Sequence, residues 1–121
     1  MPDSTLLKVA GYGSIIVSLL HAASGRKFQR LREFQTLPDV AYTFSMSAWY
    51  QGSGYLILAG LLNFQWAQDP SLLEQPLGRA MASVLSVIAW SASGWYLFRG
   101  LTVDGVIIAA AGLFQAWAAL K

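Results

Sequence analysis

The chain has 121 residues, 55% of them hydrophobic and 12% charged, with no cysteine and a formal net charge of +2. A soluble domain carries about 25% charged residues, so this balance, with apolar runs of bilayer length, points to an integral membrane protein of one domain, residues 1–121. Disulfides, thiol redox chemistry, Fe–S clusters and Cys-ligated zinc are excluded, and the sparse basic residues, not interleaved with stacking aromatics, argue against nucleic acid as a partner.

The first apolar segment covers residues 6–23. The preceding "MPDST" lacks a basic n-region, and no good small-residue cleavage site follows, so the segment is expected to stay as a span. "GRKFQRLREFQTLPD" interrupts it and makes a loop over 24–40. Phe28, Leu31 and Phe34 share one helical side there, among basic residues. That pattern suits a short helix on an anionic membrane surface or a simple extension of a neighbouring span. The second apolar segment is 41–66, closed by "AQDPSLLEQP", whose Pro70 and Pro76 stop and start helices. The third is 77–98, and "RGLTVDG" turns the chain into the fourth, 103–120.

Each segment is near the ~20 residues a spanning helix needs, and lipid forces a span to satisfy its own backbone. Short loops make successive helices antiparallel neighbours. The expected fold is therefore all-α, an antiparallel up-down bundle of four transmembrane helices. Arg26, Lys27, Arg30, Arg32 and Arg99 lie on one side, against Lys8, Arg79 and Lys121 on the other. By the positive-inside bias, loops 24–40 and 99–104 are expected in the cytoplasm and both termini outside.

Small and polar residues mark helix–helix faces in lipid. Spacings of three and four gather Gly11, Ser14, Ser18, His21 and Gly25 on the first helix and Ser47, Gln51, Gly54 and Leu58 on the second. Ala82, Ser86, Ala89 and Ser93 do the same on the third, and Gly112, Gln115 and Ala119 on the fourth. Counting from the loops brings Ser14, Gln51, Ser86 and Gln115 near the midplane, with Ser18, His21 and Ser47 in a second layer. These six polar residues besides His21 either glue helices together or hydrogen-bond a lipophilic ligand.

His21 is the only histidine, so bis-His haem ligation and three-His zinc are excluded within one chain. Every acidic residue lies at an end or in a loop, which argues against proton-coupled transport. His21, Asp39 and Asp104 are the candidates for acid–base catalysis, with Arg99 in the same layer. The plainer reading has Asp39 and Asp104 capping the second and fourth helices, and His21 bonded to a carbonyl or to Ser18.

"HAASGRKFQRLREFQTLPDVAYTFSMSAWY" resembles the first-loop region of small bacterial four-span proteins of unknown function, through His21, Gly25, Arg26, Leu37 and Trp49. That resemblance implies the fold and no activity. "FQRLREFQTLP" resembles the arginine-rich stretch of the membrane-associated eicosanoid and glutathione metabolism family, which are four-helix bundles with a basic first cytoplasmic loop. The family's Asn and Glu after the arginines are absent here, where Gln35 and Thr36 stand, so the resemblance stops short of its glutathione motif.

The expected function is that of a small membrane accessory or scaffold protein, its partners the lipid bilayer and other membrane proteins or a second copy. The alternative is a cofactor-independent enzyme: an isomerase, cyclase or hydrolase. It would act on a lipophilic small molecule through His21, Asp39 and Asp104, with Ser14, Ser18, Ser47, Gln51, Ser86 and Gln115 lining the site. Neither reading calls for a metal or a cofactor.

Overall fold

A computed structural model describes residues 2–121, and the described chain is helical without a strand. The helices are α1 (Ser4–Gln29), α2 (Arg32–Gln35), α3 (Asp39–Gln68), α4 (Pro76–Phe98) and α5 (Thr102–Leu120), with a 3₁₀ turn at Pro70–Leu73. Three of them, α1, α4 and α5, are long and apolar enough to cross a membrane. At 30 residues α3 is longer than any of these. It falls short in apolarity because Gln51, Ser53, Asn63 and Gln65 interrupt it.

The helix ends follow local chemistry. Asp3 accepts the Thr5 N–H at 2.7 Å and opens α1. Pro76 occupies the first turn of α4, where its missing N–H costs nothing. At the other end of α4, Gly100 adopts φ 82°, Leu101 N–H bonds Tyr96 O and Gly100 N–H bonds Leu97 O. Those two bonds form a Schellman stop, and the left-handed residue it needs is why a glycine stands there. Leu101, not Asp104, is the N-cap of α5, and Asp104 lies exposed in the first turn. Asp39 is likewise exposed in the first turn of α3, whose first bond runs from Tyr42 N–H to Pro38 O. Both carboxylates therefore complement a helix dipole from within the first turn.

The chain divides into two compact units. One joins the start of the chain, up to Ala10, to Leu62–Lys121; the other is Gly11–Leu61. In the first unit α4 and α5 form an antiparallel hairpin. Ser93 Oγ donates to Gly105 O at 2.6 Å, and Gly112 lies against Trp90 and Ala89. The expected stripes are buried here: Ala82, Ser86 and Ser93 on α4, and Gly112, Gln115 and Ala119 on α5. Trp66, Leu7 and Leu73 are the largest apolar side chains buried in this unit.

In the second unit α1 and α3 run antiparallel. Gly60 packs on Gly11 and Ile15, Ser18 and His21 reach Ser53, Gly25 lies under Trp49, and Gln29 bonds Tyr50. This register changes the expected depth of Gln51. Trp49–Leu61 of α3 lies alongside α1, with Trp49 against His21 and Gly25 and Ser53 against Ser18, whereas Asp39 begins α3 ten residues, about 15 Å, before Trp49. Gln51 therefore stands near the Gln29 end of the hairpin, and Ile15, the middle of the first apolar run, faces Gly60.

The expected inner face of α3 is also shifted. Ser47, Gln51, Gly54 and Leu58 are all exposed, and Gln51 Nε2 donates to Ser47 Oγ along the same helix at 2.7 Å. The buried residues are Ser53, Ala59, Gly60, Asn63, Trp66 and Ala67. Small residues at 53, 59 and 60 admit a neighbouring backbone, and Asn63 finds a buried partner, so this stripe outcompetes the other.

Many large apolar side chains of the helices are exposed outside the helix–helix faces. Phe98 is 78%, Val103 73% and Leu20 64% exposed. Surfaces of this kind are met by lipid or by partner proteins.

Candidate functional site

The densest polar and aromatic cluster lies in Gly11–Leu61, at the Gln29 end of the α1–α3 hairpin. Ser18 is buried, and its Oγ donates to the Ser53 carbonyl at 2.7 Å. His21, one turn further along α1, shares a 2.8 Å hydrogen bond between Nδ1 and Ser53 Oγ. Ser53 thus receives two side chains of α1, one on its backbone and one on its hydroxyl.

The indole of Trp49 stacks on the imidazole, with centroids 3.9 Å apart and planes 11° from parallel. Its Nε1–H donates to His21 O at 2.8 Å, a carbonyl near the polar end of α1. Gly25 makes this approach feasible, since a Cβ there would collide with the indole. Gly52 lies close to the imidazole, 3.2 Å from Cε1 at its Cβ position. The aromatic series continues outward: Phe28 meets Trp49 edge-on at 4.8 Å, Phe34 meets Phe28 at 5.0 Å, and Tyr42 meets Phe34 at 5.1 Å. Phe34 is buried by these contacts and anchors α2.

The arrangement fixes a hydrogen-bonding hub between two helices. Within Gly11–Leu61 it does not bring Asp39 to His21. The group on His21 Nδ1 is a hydroxyl, whereas a carboxylate there is what orients an imidazole for general-base work. Asp39 begins α3 fourteen residues before Ser53, about 21 Å along the helix axis. Asp104 stands exposed on α5. Among the ligand candidates, Ser18 is engaged with Ser53, Ser47 and Gln51 bond each other on the exposed face of α3, and Ser14 is half-buried.

Ser86 and Gln115 lie in the other unit, both buried. Ser86 Oγ bonds back to Ala82 O at 3.3 Å. Gln115 forms a reciprocal amide pair with Asn63: Asn63 Nδ2 donates to Gln115 Oε1 at 2.8 Å, and Gln115 Nε2 donates to Asn63 Oδ1 at 3.1 Å. Asn63 was not among the residues singled out by spacing, although it is the chain's only asparagine and sits within "LAGLLNFQW". Ser53 escaped notice too, between two glycines that read as a weak point in the helix.

The amide pair makes a measurable link between α3 and α5. A double-mutant cycle of Asn63→Ala and Gln115→Ala, read by denaturation in detergent micelles, is expected to give a coupling of about 0.6 and at most about 1.7 kcal/mol. Additive losses would show that the two amides do not act together.

Among the described residues, no group of three or more His, Asp or Glu is placed to hold a metal ion. No protein-family model, curated protein or solved structure matches this chain.

Proposed function

We propose that this chain is a small integral membrane accessory or scaffold protein. Its four long helices cross the bilayer, α3 contributing roughly the stretch 50–67 that is in register with α1. Both termini lie outside, and loops 24–40 and 99–104 lie in the cytoplasm. The support for this orientation is the basic cluster of Arg26, Lys27, Arg30 and Arg32, joined by Arg99.

One observation carries the accessory reading. Among the described residues, no buried side-chain nitrogen or oxygen lacks a hydrogen-bond partner. The polar residues that a catalyst would turn toward substrate are spent on joining helices: Ser18 and His21 on Ser53, Asn63 on Gln115, and Ser93 on Gly105. What the chain offers outward is apolar surface, which suits lipid and the helices of other membrane proteins.

Native mass spectrometry of the protein extracted with its surrounding lipid tests this. The expected spectrum shows the chain in fixed stoichiometry with other subunits or with a second copy. A monomer that reproducibly carries one lipophilic small molecule would overturn the accessory reading and favour the enzyme.

A further inference from the structure

We propose that Arg26, Lys27, Arg30 and Arg32 form a fixed cationic rim that selects anionic phospholipid headgroups at the end of α1. The proposal rests on α1 crossing the membrane. All four residues are exposed, and Glu33 is the only acid between residues 24 and 38.

Helix geometry explains why the charges stand together. At about 100° per residue, Arg26, Lys27 and Arg30 fall within an arc of about 100°. Gly25 and Gln29, which meet Trp49 and Tyr50 of α3, lie outside that arc. The rim therefore faces away from the hairpin partner. The segment that follows is tied down and does not trail. Phe34 of α2 packs on Phe28 and Tyr42, and Gln35 Nε2 donates to Gln29 O. Arg32, the first residue of α2, is thereby held at the end of α1.

Depth is the second part of the case. Arg26 and Arg30 lie three and seven residues beyond Ala23, where the first apolar run ends. That is about 4.5 and about 10 Å along a helix, the band occupied by lipid headgroups. Leu31, 54% exposed between Arg30 and Arg32, gives the rim an apolar tip suited to the acyl boundary. Basic residues fixed at headgroup depth beside an apolar span match an anionic lipid surface in charge and in position.

The test uses the full-length chain in nanodiscs holding equal phosphatidylglycerol and phosphatidylcholine, with retained lipids counted by native mass spectrometry. The wild type is expected to keep phosphatidylglycerol in excess, and the excess should fall as salt rises. Each single Arg→Gln or Lys→Gln change in the rim should lower the preference about fivefold. The R26K/R30K/R32K variant should keep it, and so should K8Q/R79Q/K121Q, which removes charge elsewhere. Equal retention of both lipids by the wild type would overturn the rim. So would an equal loss of preference in K8Q/R79Q/K121Q. Alkaline carbonate extraction reads the membrane assignment separately: a chain that stays in the pellet yet shows no lipid preference refutes the rim alone.

Discussion

Gly78→Ala is expected to destabilise the protein by about 3 kcal/mol or more, read as thermal unfolding in detergent micelles. The residue opens the first full turn of α4, two positions after Pro76. A Cβ added there would fall on the carbonyl oxygen of Leu72 and stand 2.8 Å from its carbonyl carbon. A side chain in that position could rotate away, but a backbone carbonyl cannot. The turn that carries it is itself fixed: Asp69 accepts the Ser71 N–H at 3.2 Å, and Leu73 is buried in the core of its unit. Relief therefore requires α4 to move from the 3₁₀ turn. Gly94→Ala is the control. It lies in the same helix with nothing within 4 Å of its Cβ position. That variant should gain roughly 0.5–1 kcal/mol from the smaller conformational freedom of its unfolded chain. Equal melting of Gly78→Ala and wild type would mean that the turn does not press on α4.

Much of this architecture was legible in the residues. The helical class follows from apolar runs broken by Pro38, Pro70, Pro76 and Gly100. The inner faces of α1, α4 and α5 follow from small residues at spacings of three and four, and Ser18, Ser86, Ser93 and Gln115 are buried as that pattern requires. The failure at α3 has a physical cause. Two polar stripes compete on that helix, one through Ser47 and Gln51 and one through Ser53 and Asn63, and periodicity weighs them equally. Only pairing with α1 chooses between them, because Ser53 alone sits where both Ser18 and His21 can reach it. Depth was misjudged for a related reason. Counting from Ala41 treats every apolar residue as part of a span, yet Tyr42 and Trp49 are apolar because they cover Phe34 and Phe28. The expected meeting of His21 with Asp39 does not occur, since His21 reaches Ser53, about 21 Å along α3 from Asp39.

Trp49→Ala is expected to cost about 3 kcal/mol, the range for deleting a large packed aromatic side chain. Three contacts go at once: the stack on His21, the edge contact with Phe28, and the bond from Nε1 to His21 O. Trp49→Phe keeps a ring over the imidazole and loses the donor, so it should cost nearer 1 kcal/mol. The sharper expectation concerns Gly25. In the wild type, Gly25→Ala drives a methyl into the indole, with Cδ1 only 2.7 Å away, and should cost about 1–3 kcal/mol. In the Trp49→Ala background that indole is gone. The same change should then be neutral or slightly stabilising, because alanine is the better helix former. The two substitutions are therefore expected to be strongly non-additive. A double-mutant cycle by chemical denaturation in mixed micelles reads the coupling directly. If Gly25→Ala costs the same in both backgrounds, then glycine is required there for something other than the close approach of Trp49. The view of His21, Trp49 and Ser53 as the clasp of this hairpin would then fail. If the penalty vanishes with the indole, the glycine, the indole and the imidazole act as one device. The only histidine of the chain then serves to hold α1 and α3 in register.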